Sequence, residues 1–276
     1  MLTKHLLLSF MALTFLAGCS QEPKLTLRIF ECGEIEVRDI SLFSPGVDEG
    51  VTKHLVDSCY LIQHEKGSLI WDTGITDAVG TKGLEKFGGK LSLKVTNPLM
   101  SQLEAINVAP ESIQYLGISH FHADHTGNAN AFSNAKLLIQ KEEFEAAFGA
   151  TPQKFGFNPQ SYSKLDKDNA QILEGDHDVF GDGSVIIKRA PGHTPGHQML
   201  LVNLAETGPV LLSGDLYHFT KNREQRGVPA FNFDKPMTLE SMDLIEGFLK
   251  ESGAQLWIQH DKEQNAELLH SPKFYF

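Results

Sequence analysis

The sequence is short of positive charge: 24 Lys and Arg stand against 35 Asp and Glu, for a formal net charge of −11. Such a balance repels phosphate, which argues against a nucleic-acid partner or binding to an anionic membrane surface. No run of Lys or Arg marks a local exception. Long apolar runs are missing too. The stretch Leu6 to Ala17 is too short to span a bilayer comfortably. Cysteine is scarce, with three residues in 276. No linker splits the chain, and with 41% hydrophobic and 21% charged residues nothing in it reads as disordered. One domain with a proper core is expected.

The N-terminus stands apart from that core. Lys4 and His5 precede the apolar run, and small residues follow it, the layout of a secretory signal. Leu16-Ala17-Gly18-Cys19 resembles a bacterial lipobox. That resemblance implies a signal peptide over 1–18, a lipid anchor on Cys19 as the only membrane attachment, and a spacer over 19–24 before the domain at 25–276. It also implies export to the cell envelope, and Ser20 in place of an Asp favours a periplasm-facing or outer-membrane location. Two thiols then remain, Cys32 and Cys59, in a compartment that permits disulfides. Both lie in early strand-like segments; they can pair, or each can sit as a small buried side chain.

The densest chemistry is His120-Phe121-His122-Ala123-Asp124-His125, directly after the apolar run Tyr115 to Ser119. Imidazole nitrogen and carboxylate oxygen suit zinc and its first-row neighbours. If 115–119 is a strand, His120 and His122 leave it on one side, because side chains alternate with period two. Asp124 and His125 belong to the following turn and point elsewhere. Two ions a few ångströms apart are the natural reading.

H-x-H-x-D-H after a strand resembles the metallo-β-lactamase superfamily. Further residues match its pattern in order: His193 in Pro191-Gly192-His193-Thr194-Pro195-Gly196-His197, Asp215 in Leu211-Leu212-Ser213-Gly214-Asp215, and His260 after Leu256 to Gln259. Ile70-Trp71-Asp72-Thr73-Gly74 resembles the family's strand-end Asp-Thr-Gly. The resemblance implies an α/β architecture, an αββα four-layer sandwich of two mixed sheets flanked by helices. It also implies two Zn²⁺ or similar divalent ions, one held by His120, His122 and His193, the other by Asp124, His125 and His260, with Asp215 bridging. Asp72 would then fix the ring of a ligand histidine, and His197 would stand beside the ligands without being one. Redox members share the fold, but the chain has no flavin or iron–sulfur signature.

The rest of the chain fits such a sandwich. Leu25 to Glu31 and Glu34 to Ile40 read as paired strands turning at Gly33. Val56 to His64 and Ser68 to Trp71 read as a hairpin, and 98–109 as a helix ended by Pro110. Lys136 to Gln140 follows as a strand and Lys141 to Phe148 as a helix. Residues 151–169 suit a lid or pocket wall. Strands are expected at Gln171 to Leu173, Val185 to Ala190, Met199 to Leu204, Val210 to Leu212 and Gln255 to Gln259, with an amphipathic helix over Thr238 to Lys250.

A bridging Asp resembles glyoxalase II and the N-acyl-homoserine lactone lactonases more than typical zinc β-lactamases, and Ser213-Gly214-Asp215-Leu216-Tyr217-His218 looks like the lactonases. The implied activity is metal-dependent opening of an acyl lactone, with another acyl hydrolase, a thioesterase or β-lactamase, as the alternative. Some such lactonases carry Tyr three residues after the bridging Asp; here that position is His218, and Tyr217 precedes it. Asp124, Tyr217 and His218 are therefore the catalytic candidates, Tyr217 foremost as the group that polarises the carbonyl. Phe219, Phe231 and Phe233 are candidates for an acyl groove. His54, His64, His177 and His270 are expected on surface or loops.

Overall fold

The computed structural model describes residues 24–276; the signal peptide expected over 1–18 and the anchor expected at Cys19 fall outside the described residues. The chain builds a first sheet from β1 (Leu25–Val37), β2 (Lys53–His64), β3 (Gly67–Trp71), β4 (Leu84–Lys86), β5 (Leu91–Lys94), β6 (Tyr115–Gly117), β7 (Lys136–Gln140) and β8 (Gln171–Leu173). Its strand order is β4-β5-β1-β2-β3-β6-β7-β8. A second sheet holds β9 (His177–Asp178), β10 (Val185–Arg189), β11 (Gln198–Leu204), β12 (Gly208–Leu212) and β13 (Gln255–Trp257), in the order β13-β12-β11-β10-β9. Both sheets are mixed. β3, β6, β7 and β8 run parallel in the first, and β12 and β13 in the second, while the remaining pairs are antiparallel.

Alternation along the strands sorts side chains into layers. On β1, Leu27 and Ile29 face the second sheet, where they meet Val185, Leu200 and Leu212 around Trp71. Phe30 faces the other way, with Leu61, Ile70 and Leu116, under α1 (Leu99–Ala105) and α3 (Lys141–Phe148). The outer face of the second sheet is covered by α5 (Lys235–Ser252), whose Met242, Ile245 and Leu249 pack on Met199, Leu201 and Leu256. Sheets buried on both faces need nearly continuous apolar strands, which is how β7 (Lys-Leu-Leu-Ile-Gln) and β11 read. Each fully buried Leu, Ile or Phe contributes about 1.5–3 kcal/mol before chain entropy is subtracted. Short helices α2 (Ala123–Thr126), α4 (Thr220–Glu224) and α6 (Lys262–Asn265) sit in the connections. Among the described residues no helix is long and apolar enough to cross a membrane.

Three local expectations need correction. Gly33 does not turn the chain; β1 runs through it with a bulge between Glu31 and Gly33, because β2 supplies partners on both sides. Cys32 lies on that bulge and forms a disulfide with Cys59 of β2. The helix expected over 98–109 stops at Ala105, where Asn107 takes a left-handed φ of 57° and ends it. The helix expected from Thr238 starts at Lys235, because Asp234 caps it by accepting from the Met237 N–H at 2.9 Å.

Candidate metal centre

Parallel strands deliver their C-terminal ends to one edge of the sandwich. β3 leads to Asp72, β6 to His120, β10 to His193, β12 to Asp215 and β13 to His260. All seven expected ligands converge there. Donor atoms of His120, His122, His193 and Asp215 lie within 4.8 Å of one another, and so do those of Asp124, His125 and His260. Asp215 stands between the groups. Its Oδ1 is 2.9 Å from His260 Nε2 and 3.3 Å from His125 Nε2, and its Oδ2 is 3.3 Å from His193 Nε2 and 3.6 Å from His120 Nε2.

The donor chemistry demands positive charge between these atoms. His122 donates from Nε2 to the Phe155 carbonyl at 3.0 Å, which leaves Nδ1 a bare lone pair facing His120 Nε2 at 2.8 Å and His193 Nε2 at 3.1 Å. His260 donates from Nδ1 to the Val56 carbonyl at 2.7 Å, so its Nε2 lone pair faces a carboxylate oxygen. His125 places Nδ1 on Asp72 Oδ2 at 3.0 Å, and its buried Nε2 has no hydrogen-bond partner. Lone pairs aimed at one another repel unless a cation lies between them, and the spacing suits ligands about 2.0–2.2 Å from a divalent ion. The residues fit the group, with remote nitrogens held by carbonyls and a carboxylate in the manner of metal-binding histidines.

The same demand shifts the titrations. Burial opposes charge on His125 and His260, but the Asp215 carboxylate outweighs it, raising His125 well above the usual imidazole range and His260 to about 9. Burial and neighbouring imidazoles push His120 well below that range and His122 to about 3. Burial works to raise Asp215, yet the surrounding imidazoles hold it well below the usual carboxylate range. Asp124 behaves likewise beside His125.

Groups behind the ligands fix their aim. Asp72 accepts from the Ser119 N–H at 2.7 Å and its hydroxyl at 2.8 Å besides His125, so one carboxylate orients the end of β6 and a ligand ring together. His197 is not among the converging donors: its Nδ1 donates to the Ala190 carbonyl, and its Nε2 accepts from the Asp215 N–H at 2.9 Å. Burial holds His197 down to about 3, as an acceptor requires.

Tyr217 does not reach the site, against expectation. Its hydroxyl donates to Glu246 Oε1 of α5 at 2.8 Å, and the ring is buried against α5. The cause is alternation: Tyr217 is extended (φ −136°, ψ 138°), so it and His218 point to opposite sides. His218 takes the place beside the ligands, with Nε2 3.2 Å from Asp215 Oδ2 and neither ring nitrogen properly hydrogen-bonded. Burial pushes its pKa down against the pull of Asp215.

A cavity of about 490 Å³ opens over the centre. Asp124, Asp215, His218 and His260 form its floor, and apolar side chains dominate its walls. Phe231 and Phe233 line it as expected; Phe219 instead packs into the core with Phe43 and Ile35. Of segment 151–169, Lys154 to Gly156 form part of the wall. More of the wall comes from Leu91, Leu93, Lys86 and Phe87 around the β4–β5 hairpin, which sequence reading missed although Leu91-Ser92-Leu93 alternates. His64, expected as a surface residue, is largely buried, stacked on Phe180 and 3.1 Å from Asp182.

A fold of two mixed sheets with a histidine and aspartate cluster at one edge defines a metal-dependent hydrolase architecture, and the profile of the metallo-beta-lactamase superfamily matches residues 54–248. The chain belongs to that superfamily. It is 33% identical over 217 residues to an N-acyl homoserine lactonase from Bacillus sp., covering 75% of this chain and 81% of that one. It is 30% identical over 245 residues to the N-acyl homoserine lactonase AiiA of Bacillus thuringiensis subsp. kurstaki, covering 86% and 93%. An N-acyl homoserine lactone hydrolase, crystallised with N-hexanoyl-L-homoserine at its catalytic metal centre, superposes with a TM-score of 0.78 at 27% identity, covering 90% of this chain and 98% of that one.

Proposed function

We propose that this chain is an exported, lipid-anchored hydrolase that holds two zinc-like divalent ions and opens the ring of N-acyl homoserine lactones. The observation that carries it is Asp215, whose two oxygens each face a separate group of histidines; the lactonase relatives support the substrate class. Divalent ions held there supply Lewis acidity, making water nucleophilic near neutral pH and polarising an acyl carbonyl. His120, His122 and His193 would hold one ion and Asp124, His125 and His260 the other, with Asp215 facing both groups. His218, buried with neither ring nitrogen hydrogen-bonded, donates one N–H to the substrate's acyl oxygens, a contact of the kind that stabilises developing charge. The acyl chain lies against the apolar wall that includes Phe231 and Phe233, while Asp124 lines the floor near the ring.

Hydrolysis adds water to the lactone carbonyl carbon and breaks the ring C–O bond, leaving a hydroxy acid that ionises, so each turnover releases a proton. A pH-indicator assay on ion-loaded protein with an N-acyl homoserine lactone, a glutathione thioester and a cephalosporin tests the reading. The lactone is expected to be fastest; faster thioester or β-lactam hydrolysis assigns the wider acyl-hydrolase class instead. Elemental analysis should find about two ions per chain. For the anchor, Cys19→Ser should move the protein from membranes to the soluble envelope fraction, and a wild-type chain already soluble refutes it.

A further inference from the structure

Glu143 lies in the first turn of α3 and is buried, with 1% of its surface exposed. Its Oε1 accepts from the Phe121 N–H at 2.9 Å, and its Oε2 from the Gly196 N–H at 2.8 Å. Phe121 is the residue between His120 and His122; Gly196 follows His193 by three. A single carboxylate therefore ties together two ligand-bearing segments that come from different sheets. The approach is close: a Cβ on Gly196 would fall 2.5 Å from the Glu143 backbone nitrogen, so glycine is required there.

His193 has particular need of such a clamp. His122, His125 and His260 each have the remote nitrogen held by a carbonyl or carboxylate, whereas His193 Nδ1 is buried without a partner. Its ring cannot be aimed through its own far side. Aim has to come from the backbone that carries it, and that backbone is pinned by Glu143 at Gly196 and by the Phe233 N–H on the His193 carbonyl at 3.1 Å.

We infer that Glu143 is a positioning residue that sets the affinity of the three-histidine site by holding the His193 loop against the His120–His122 turn. The inference rests on the metal-centre reading above. Glu143→Gln keeps the shape but leaves only one carbonyl oxygen as acceptor and turns an NH₂ group toward the other N–H. Calorimetric titration of the metal-free protein with Zn²⁺ should show one ion weakened about tenfold or more, in the range for lost outer partners of a metal site, with the second ion unchanged and the melting temperature of the metal-free protein close to wild type. Two ions bound as in wild type overturn the inference and leave the metal reading standing. Parallel weakening of both ions with a lowered melting temperature also overturns it, since that is a fold effect. A wild-type chain that binds no Zn²⁺ refutes the metal reading itself. Glu143→Asp, which keeps the charge and shortens the reach, carries the same titration and the same outcomes if the glutamine variant does not fold.

Discussion

The floor and the rim of the cavity are built on different terms. On the floor nearly every ligand is held from behind: His122 by Phe155, His125 by Asp72, His260 by Val56, and Asp215 through its own N–H on His197. At the rim, Phe87, Phe233 and Phe231 are 62%, 49% and 37% exposed and lean mainly on one another and on other aromatic rings. Polar groups that must hit a reacting atom need fixed directions. An acyl chain needs only apolar area, which is not directional. The difference implies that substitutions on the floor act on turnover, and substitutions at the rim act on which chain is accepted.

The largest test of that contrast is Asp215→Asn. Because each oxygen faces a different group of histidines, both ions should weaken at once, by more than the roughly 10–100-fold typical of outer partners, with activity lost in step; elemental analysis and turnover check it. Loss of only one ion would mean the floor is two independent sites. Next comes His218→Phe, expected to lower kcat about a hundredfold, the order for one lost donor to developing charge, at unchanged metal content. Equal activity would remove His218 from the chemistry. Phe231→Ala should be smaller still, raising KM for long-chain lactones by about tenfold, on the scale of a partly buried aromatic contact, while kcat holds. A fall in kcat instead would make the rim part of the catalytic apparatus. Tyr217→Phe marks the lower limit: with its hydroxyl on Glu246, the loss is about 1 kcal/mol of stability, read from the melting temperature, and no change in turnover.

The floor was largely legible in the sequence, because His120 to His125 concentrates rare ligands at a strand end and Asp215 and His260 also follow apolar runs. The rim was not. β4 and β5 reach it only by pairing with each other and with β1, sixty residues away in places, and nothing local announces that pairing. Gly33 misled for a related reason: a glycine between two apolar runs reads as a turn until a partner strand demands that it stay extended. Tyr217 was an error of one residue, and in an extended segment one residue reverses the side chain. Glu143 carries no motif at all; its role comes from two backbone N–H groups brought together from positions 121 and 196.

The path of β1 bears on how an anchored chain faces its surroundings. Leu25 pairs with His64 at the end of the sheet remote from the cavity, and Ile35, which lines the cavity, comes ten residues later. At about 3.3 Å per residue the two are roughly 30 Å apart, whereas the six residue steps from Cys19 to Leu25 reach at most about 22 Å. A lipid on Cys19, as proposed above, would therefore hold the molecule by its base and not at the opening. On that proposal the mouth would open away from the anchored end, toward substrate arriving through the aqueous space.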